Sequence, residues 1–120
     1  MARFSRAQRL LRPEEYRRVF EQGAKTGDEA ILILGVCNDL AYPRLGLAIA
    51  KKHLKQAVQR NRVKRLIRES FRGHLDALAG LDLVVLSRNG ITTKTNREIF
   101  TALERHWTKI QNRCSSSSSS

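Results

Sequence analysis

A single α+β domain, with a mainly antiparallel sheet of about four strands and helices packed beside it, is the fold class this chain predicts. Three observations carry that reading. Apolar runs of the kind that fill strands occupy residues 30–36, 45–50 and 81–86. Amphipathic stretches of helical period lie before, between and after them. A length of 120 residues suits one hydrophobic core and not two. The predicted order is helix, two or three strands, helix, strand, helix. Residues 1–114 form the domain, and the six serines at 115–120 are a low-complexity, disordered tail.

The first helix opens at Pro13, which tolerates the first helical position, followed by Glu14 and Glu15 at the positive end of the helix dipole; Gly23 ends it. Tyr16, Val19 and Phe20 lie three and four apart on one face, with Arg17 and Arg18 pointing elsewhere. Residues 30–36 (AILILGV) and 45–50 (LGLAIA) read as strands joined through a polar, turn-rich stretch at 38–43, and are expected to pair antiparallel. Gly35 and Gly46 inside these runs predict bulges or close backbone approach. From about Gln56 the period becomes helical. Val63, Leu66, Ile67, Ser70 and Phe71 form the apolar side, while Asn61, Arg62, Lys64, Arg65, Arg68 and Arg72 fall on the opposite arc, with Arg60 at the border. After Gly73 or Gly80, residues 81–86 (LDLVVL) read as a buried strand, and strand, helix, strand implies a parallel pairing. Thr95-Asn96-Arg97-Glu98 has the capping-box pattern and opens a last helix with Ile99, Phe100, Leu103, Trp107 and Ile110 on its apolar face.

Charge narrows the function. The chain carries 23 Lys and Arg against 11 Asp and Glu, a formal +12, and the segment from Lys51 to Arg72 alone holds nine bases against one acid, Glu69. A merely solvated helical face would carry acids four residues from its bases, and here only Glu69 serves. With 41% apolar residues the chain is a folded basic protein whose partner is a polyanion. No apolar run is long enough for a membrane span, and Pro13 interrupts the Arg-rich start (Arg3, Arg6, Arg9, Arg12) that would otherwise suggest a transit peptide. Cys37 and Cys114 fit a reducing compartment, hence a cytoplasmic place and no bridge. His53, His74 and His106 are scattered, Asp39, Asp76 and Asp82 are isolated, and neither a phosphate loop nor a nucleophile elbow occurs. No catalytic residue and no metal site is expected. On these grounds alone a ribosomal protein, a double-stranded RNA module and a DNA-binding helix stay open, because phosphate contacts carry no sequence identity.

More specific signals are Arg44-Leu45-Gly46-Leu47, the pair Lys51-Lys52, and the run from Ala57-Val58 through Arg60-Asn61-Arg62-Val63-Lys64-Arg65 to Arg68-Glu69 and Phe71-Arg72. Together they resemble the protein subunit of bacterial ribonuclease P, whose hallmark is an Arg-Asn-Arg helix. The resemblance takes in Arg9-Leu10, Tyr16, Val19, Phe20, Gly23 and Asp82-x-Val84-Val85, and so covers roughly residues 4–110. It implies that a large RNA hydrolyses the 5′ leader from precursor tRNA with magnesium ions held mainly by that RNA. The protein, one per RNA, then binds both the catalytic RNA and the leader. Arg60, Asn61, Arg62, Lys64, Arg65 and Arg68 match the docking helix, and Lys51 and Lys52 the basic pair before it. Tyr16 and Phe20 match the aromatic floor of a leader cleft between the first helix and the open sheet face, with Arg17 and Leu34 beside them. Leu34 stands where many members have a third aromatic, and Ala50 where many have Ser. The resemblance also implies a left-handed crossover through the basic helix, against the general rule. A ribosomal protein of similar design is the alternative; a nuclease acting alone lacks the carboxylate cluster it would need.

Overall fold

A computed structural model describes residues 8–10 and 12–118, with side chains as far as Cys114. In chain order it contains α1 (Pro13–Gln22), β1 (Ala24–Gly27), β2 (Ile31–Cys37), β3 (Arg44–Ala48), α2 (Ala57–Arg72), β4 (Leu81–Ser87), a short 3-10 turn (Asn89–Thr93) and α3 (Asn96–Ser118). The helical backbone of α3 thus runs four serines into the segment expected as tail; Ser119 and Ser120, like Arg3 and Arg6, lie outside the described residues.

The four strands form one sheet in the order β1-β2-β4-β3. β2 pairs antiparallel with β1 and with β4, and β3 lies parallel to β4. The expected antiparallel pairing of the 30–36 and 45–50 runs is therefore a miss: β4 stands between them. The physical reason lies in β4 itself. Leu81, Leu83 and Val85 are buried on one face and Asp82 and Val84 on the other, so the strand needs cover on both sides, which an interior position gives. The 38–43 link, short enough for a hairpin, leaves a gap that β4 fills when the chain returns through α2. Asn38 seals the join, its N–H donating to the Gly80 carbonyl at 2.9 Å.

The hand of that return can be read from one residue. Leu45 turns its side chain into the core beneath α2 and α3, while its carbonyl accepts a 3.0 Å hydrogen bond from the Leu10 N–H on the side away from β4. For an L-residue in a strand these two directions fix the third. Seen from the helices with both strands pointing up, β4 lies to the left of β3. The crossover is left-handed, as the resemblance implies and opposite to the usual hand.

The sheet separates two cores. On one face Ile31, Ile33, Leu45, Leu83 and Val85 meet Val63, Ile67 and Phe71 of α2 and Ile99, Leu103, Trp107 and Ile110 of α3. On the other, α1 lays Val19 over Leu34 and Val84, with Leu10 alongside. Phe100, expected on the apolar face of α3, is instead exposed, and Ala102 and His106 are buried there. Gly35 and Gly46 serve close approach, not bulges, and the strand register is unbroken through both. A methyl group on Gly35 would stand 2.9 Å from Ile110 and from Leu83.

Two polar clasps cross these layers. Trp107 Nε1 donates to Ser70 Oγ at 2.8 Å, Ser70 donates to Glu104 at 2.5 Å, and His74 Nε2 lies 2.8 Å from the other Glu104 oxygen, tying α2 to α3. The second clasp contains Asp82, which is far from isolated. Arg44 grips it with two hydrogen bonds, Nε to Oδ1 at 2.8 Å and Nη2 to Oδ2 at 2.7 Å, and gives its remaining Nη1 to Glu15 of α1 at 2.7 Å. Asn38 adds a 2.9 Å bond, and Arg18 of α1 sits 3.7 Å away.

Because Asp82 is 1% exposed, Arg44→Ala strands a buried charge and is expected to lower the unfolding free energy by about 3 kcal/mol. Removing both charges with Arg44→Met and Asp82→Leu should restore much of the loss; urea denaturation of the two variants checks this. The α2–α3 clasp predicts a pH effect. Burial alone would raise the Glu104 carboxyl, but the hydrogen bonds from Ser70 and His74 outweigh it and hold the group below its usual range. A carboxylate depressed in this way stabilises the fold above its unfolded pKa and loses that contribution as pH falls through the folded one. Stability measured below about pH 4.3 should therefore decline less steeply in Glu104→Gln than in the parent chain.

Candidate nucleic-acid interface

The packing of α2 decides which of its bases face outward. Val63, Ile67 and Phe71 are buried at helical spacing, which leaves Asn61, Arg62 and Arg65 exposed and Lys64 and Arg68 half-buried on the side toward β3. Lys51 and Lys52 are exposed on the turn that precedes the helix. That turn is held on both sides. The Ala50 N–H donates to Ser87 Oγ at 2.8 Å, and His53 Nδ1 lies 2.8 Å from the same oxygen. Arg60 gives its Nη1 to the carbonyls of Leu54 and Lys55, each at 2.8 Å. Arg60, which the sequence places at the border of the basic arc, thus fixes the lysine turn against the start of α2.

Lys64 and Arg68 converge with Arg9, Leu10, Tyr16, Leu45 and Leu47 around a pocket of about 210 Å³ at the β3 edge. Burial, and then the positive charge of Arg9, hold the Arg68 guanidinium below its ordinary pKa. A cation kept in that setting gains from an anion brought against it. In the sequence Arg9 stands out only as part of a motif, and its proximity to Arg68 depends on the parallel bridge between Arg9 and Leu45, which no local pattern announces.

On the opposite face of the sheet, Tyr16 lies directly over Gly46: a methyl there would stand 2.6 Å from the ring. Phe20, one turn on, is 44% exposed, and Arg17 is exposed beside it. Leu34 requires a correction. At 2% exposure it is packed with Leu10, Val19 and Val84 beneath α1, so it supports the floor from below and offers no contact surface. The uncovered part of this face is a different row, Leu32, Leu86 and Ala48, half-buried and in direct cross-strand register. That row escapes a sequence reading that places β2 next to β3. So do the roles of Arg18 and Arg44, which lock α1 onto the sheet.

Among the described residues, no three His, Cys, Asp or Glu side chains come together as a metal-holding group. Nor is any described helix long and apolar enough to cross a membrane.

A family model described as Ribonuclease P matches residues 4–111. The chain belongs to the ribonuclease P protein family. Membership carries a coarse role with it, that of a protein component in tRNA processing. The chain is 45% identical over 114 residues to the ribonuclease P protein component of Nitrosococcus oceani, covering 95% of this chain and 96% of that one. It is 49% identical over 104 residues to that of Yersinia pestis, covering 87% of each. Among solved structures it is similar to the ribonuclease P protein of Staphylococcus aureus, with a TM-score of 0.79 at 28% identity over 88% of this chain and 95% of that one. The Thermotoga maritima protein gives 0.72 at 27% identity over 87% and 96%. The resemblance read from the Arg-Asn-Arg helix and the α+β class are both borne out.

Gly46 supplies a test of how α1 is seated. Gly46→Ala should cost about 1–3 kcal/mol by displacing the Tyr16 ring. In a denaturation cycle, the double variant with Tyr16→Ala should lose less than the sum of the two single losses.

Proposed function

We propose that this chain docks α2 on the catalytic RNA of ribonuclease P, near its active centre, and holds the 5′ leader of precursor tRNA between α1 and the open sheet face. One observation carries the reading. α2 spends its apolar side on the core, turns Asn61, Arg62 and Arg65 outward and Lys64 and Arg68 to the pocket at the β3 edge, with Lys51 and Lys52 on a braced turn before the helix. Arginine forks suit bidentate phosphate contacts, and Asn61 between two of them can reach a base edge or a ribose hydroxyl.

Hydrolysis belongs to the RNA in this reading, which is supported by the lack, among the described residues, of any three His, Cys, Asp or Glu side chains gathered to hold metal ions. Magnesium, bound mainly by the RNA, supplies the Lewis acid. The chain's own residues neutralise phosphates and orient the substrate. Tyr16 and Phe20 stack on leader bases, and Arg17 lies at hand for a phosphate. One protein serves one RNA, in the bacterial cytoplasm.

Replacing Arg62, Lys64, Arg65 and Arg68 with alanine should leave folding nearly intact. It should reduce the log-log salt slope for binding the catalytic RNA by about 0.7 to 0.9 for each phosphate that is no longer neutralised. An unchanged slope sinks the docking assignment. Alanine at Phe20 should cost about 1 to 3 kcal/mol for a precursor with a leader and little for mature tRNA. Titrating the assembled holoenzyme with both ligands separates stacking from packing, since equal losses mean packing alone.

A further inference from the structure

The sheet edge farthest from β3 carries a second basic groove. Lys25 and Leu32 from the first hairpin, Arg88 from the end of β4, and Lys109, Asn112 and Arg113 from α3 surround about 650 Å³ there, with no carboxylate in the lining. The nearest acid in sequence, Asp28, is turned away: one oxygen accepts the Ala30 and Ile31 N–H groups, and the other faces His106 and Arg105. Arg88 is fixed in place by a 2.9 Å hydrogen bond to the Asp28 carbonyl. No aromatic side chain lines this groove, so it suits phosphates and not stacked bases.

Strand register joins the groove to the uncovered row. Gly27, Leu32, Leu86 and Ala48 are cross-strand neighbours in one line across the whole sheet. At its β3 end the row adjoins the Lys51-Lys52 turn, and at its β1 end it opens into the groove through Leu32. The line spans three strand spacings, about 14 Å. Cations at both ends and an apolar middle form a track for one extended polyanion strand.

We propose that the β1-edge groove is where the leader leaves the protein, and that Lys25, Arg88 and Lys109 hold the phosphates of its cleavage-distal nucleotides. This rests on the leader reading above. α2, on the β3 side, faces the catalytic RNA, so nucleotides next to the cut enter there and the distal ones cross to β1. The groove grips phosphates, so binding there is indifferent to leader sequence but dependent on leader length.

The test uses the holoenzyme with Lys25→Ala/Lys109→Ala and precursors whose leaders span the roughly 4 to 16 nucleotides that single-strand channels hold. Long leaders should bind more tightly than short ones in the parent. The double variant should lose that advantage, with its log-log salt slope falling by about 0.7 for each phosphate released, while short leaders are unaffected. Equal losses at all lengths, weaker binding of the catalytic RNA itself, or no change would each overturn the proposal. A parallel Phe20→Ala arm should weaken every leader, so failure of the cleft shows there and failure of the groove only in the lysine variant. Thermal melting verifies the fold, and if the double variant melts early, the separate Lys25→Gln and Lys109→Gln holoenzymes carry the same test.

Discussion

Asp82 is the point on which the architecture turns. It is the one acid in the two interior strands, and it lies 1% exposed near the start of β4. A carboxylate so placed is tolerable only with a well-made partner, and Arg44 of the neighbouring strand supplies a two-pronged grip. The same guanidinium reaches Glu15, and Arg18 approaches from the same helix, so α1 is drawn onto the sheet by the charge that fixes β3 beside β4. The bond to Asp82 chiefly, against a smaller cost of burial, raises the Arg44 pKa. One ionic cluster therefore ties β3 to β4 and seats the first helix on that pair.

Strand order in turn decides where the charge goes. With β4 inside and β3 outside, α2 must cross from the edge back toward the centre. Its left-handed path lays the apolar stripe on the sheet and leaves the bases facing away from the core. The molecule is divided into two working surfaces: a helix dense in cations, and a sheet face that is apolar with cations at its ends. Burial, and then the charge of Arg9, hold the Arg68 guanidinium below its ordinary pKa, so an anion brought against this pocket would be favoured. The basic character seen in the composition is thus a property of particular places and not a diffuse field.

Much of this is legible in the chain. Val63, Leu66, Ile67 and Phe71 mark the buried side of α2 because helical period is a local signal, and the capping box at Thr95 and Glu98 forms as its spacing predicts. Strand pairing is not legible. The 38–43 link looks like a hairpin, and only the burial of β4 on both faces reveals the insertion. Asp82 reads as isolated because its partners are 38 and 44 residues away in sequence. Leu34 matches the cleft by position along a motif, whereas alternation and the seat of α1 place it underneath. In the candidate site, outward-facing bases follow from period alone. The pairing of Arg9 with Arg68 and the line from Ala48 to Gly27 require the three-dimensional register.

If this chain contributes charge and position while an RNA contributes the chemistry, the division shows in one comparison. Cleavage of precursor tRNA is followed as magnesium is lowered, with the protein alone, the RNA alone and the two together. The expected outcome is no site-specific cutting by the protein at any magnesium concentration, slow cutting by the RNA at high magnesium, and faster cutting at low magnesium once the protein is added. Site-specific cutting by rigorously RNA-free protein, or a magnesium requirement that the protein leaves unchanged, would refute that division of labour.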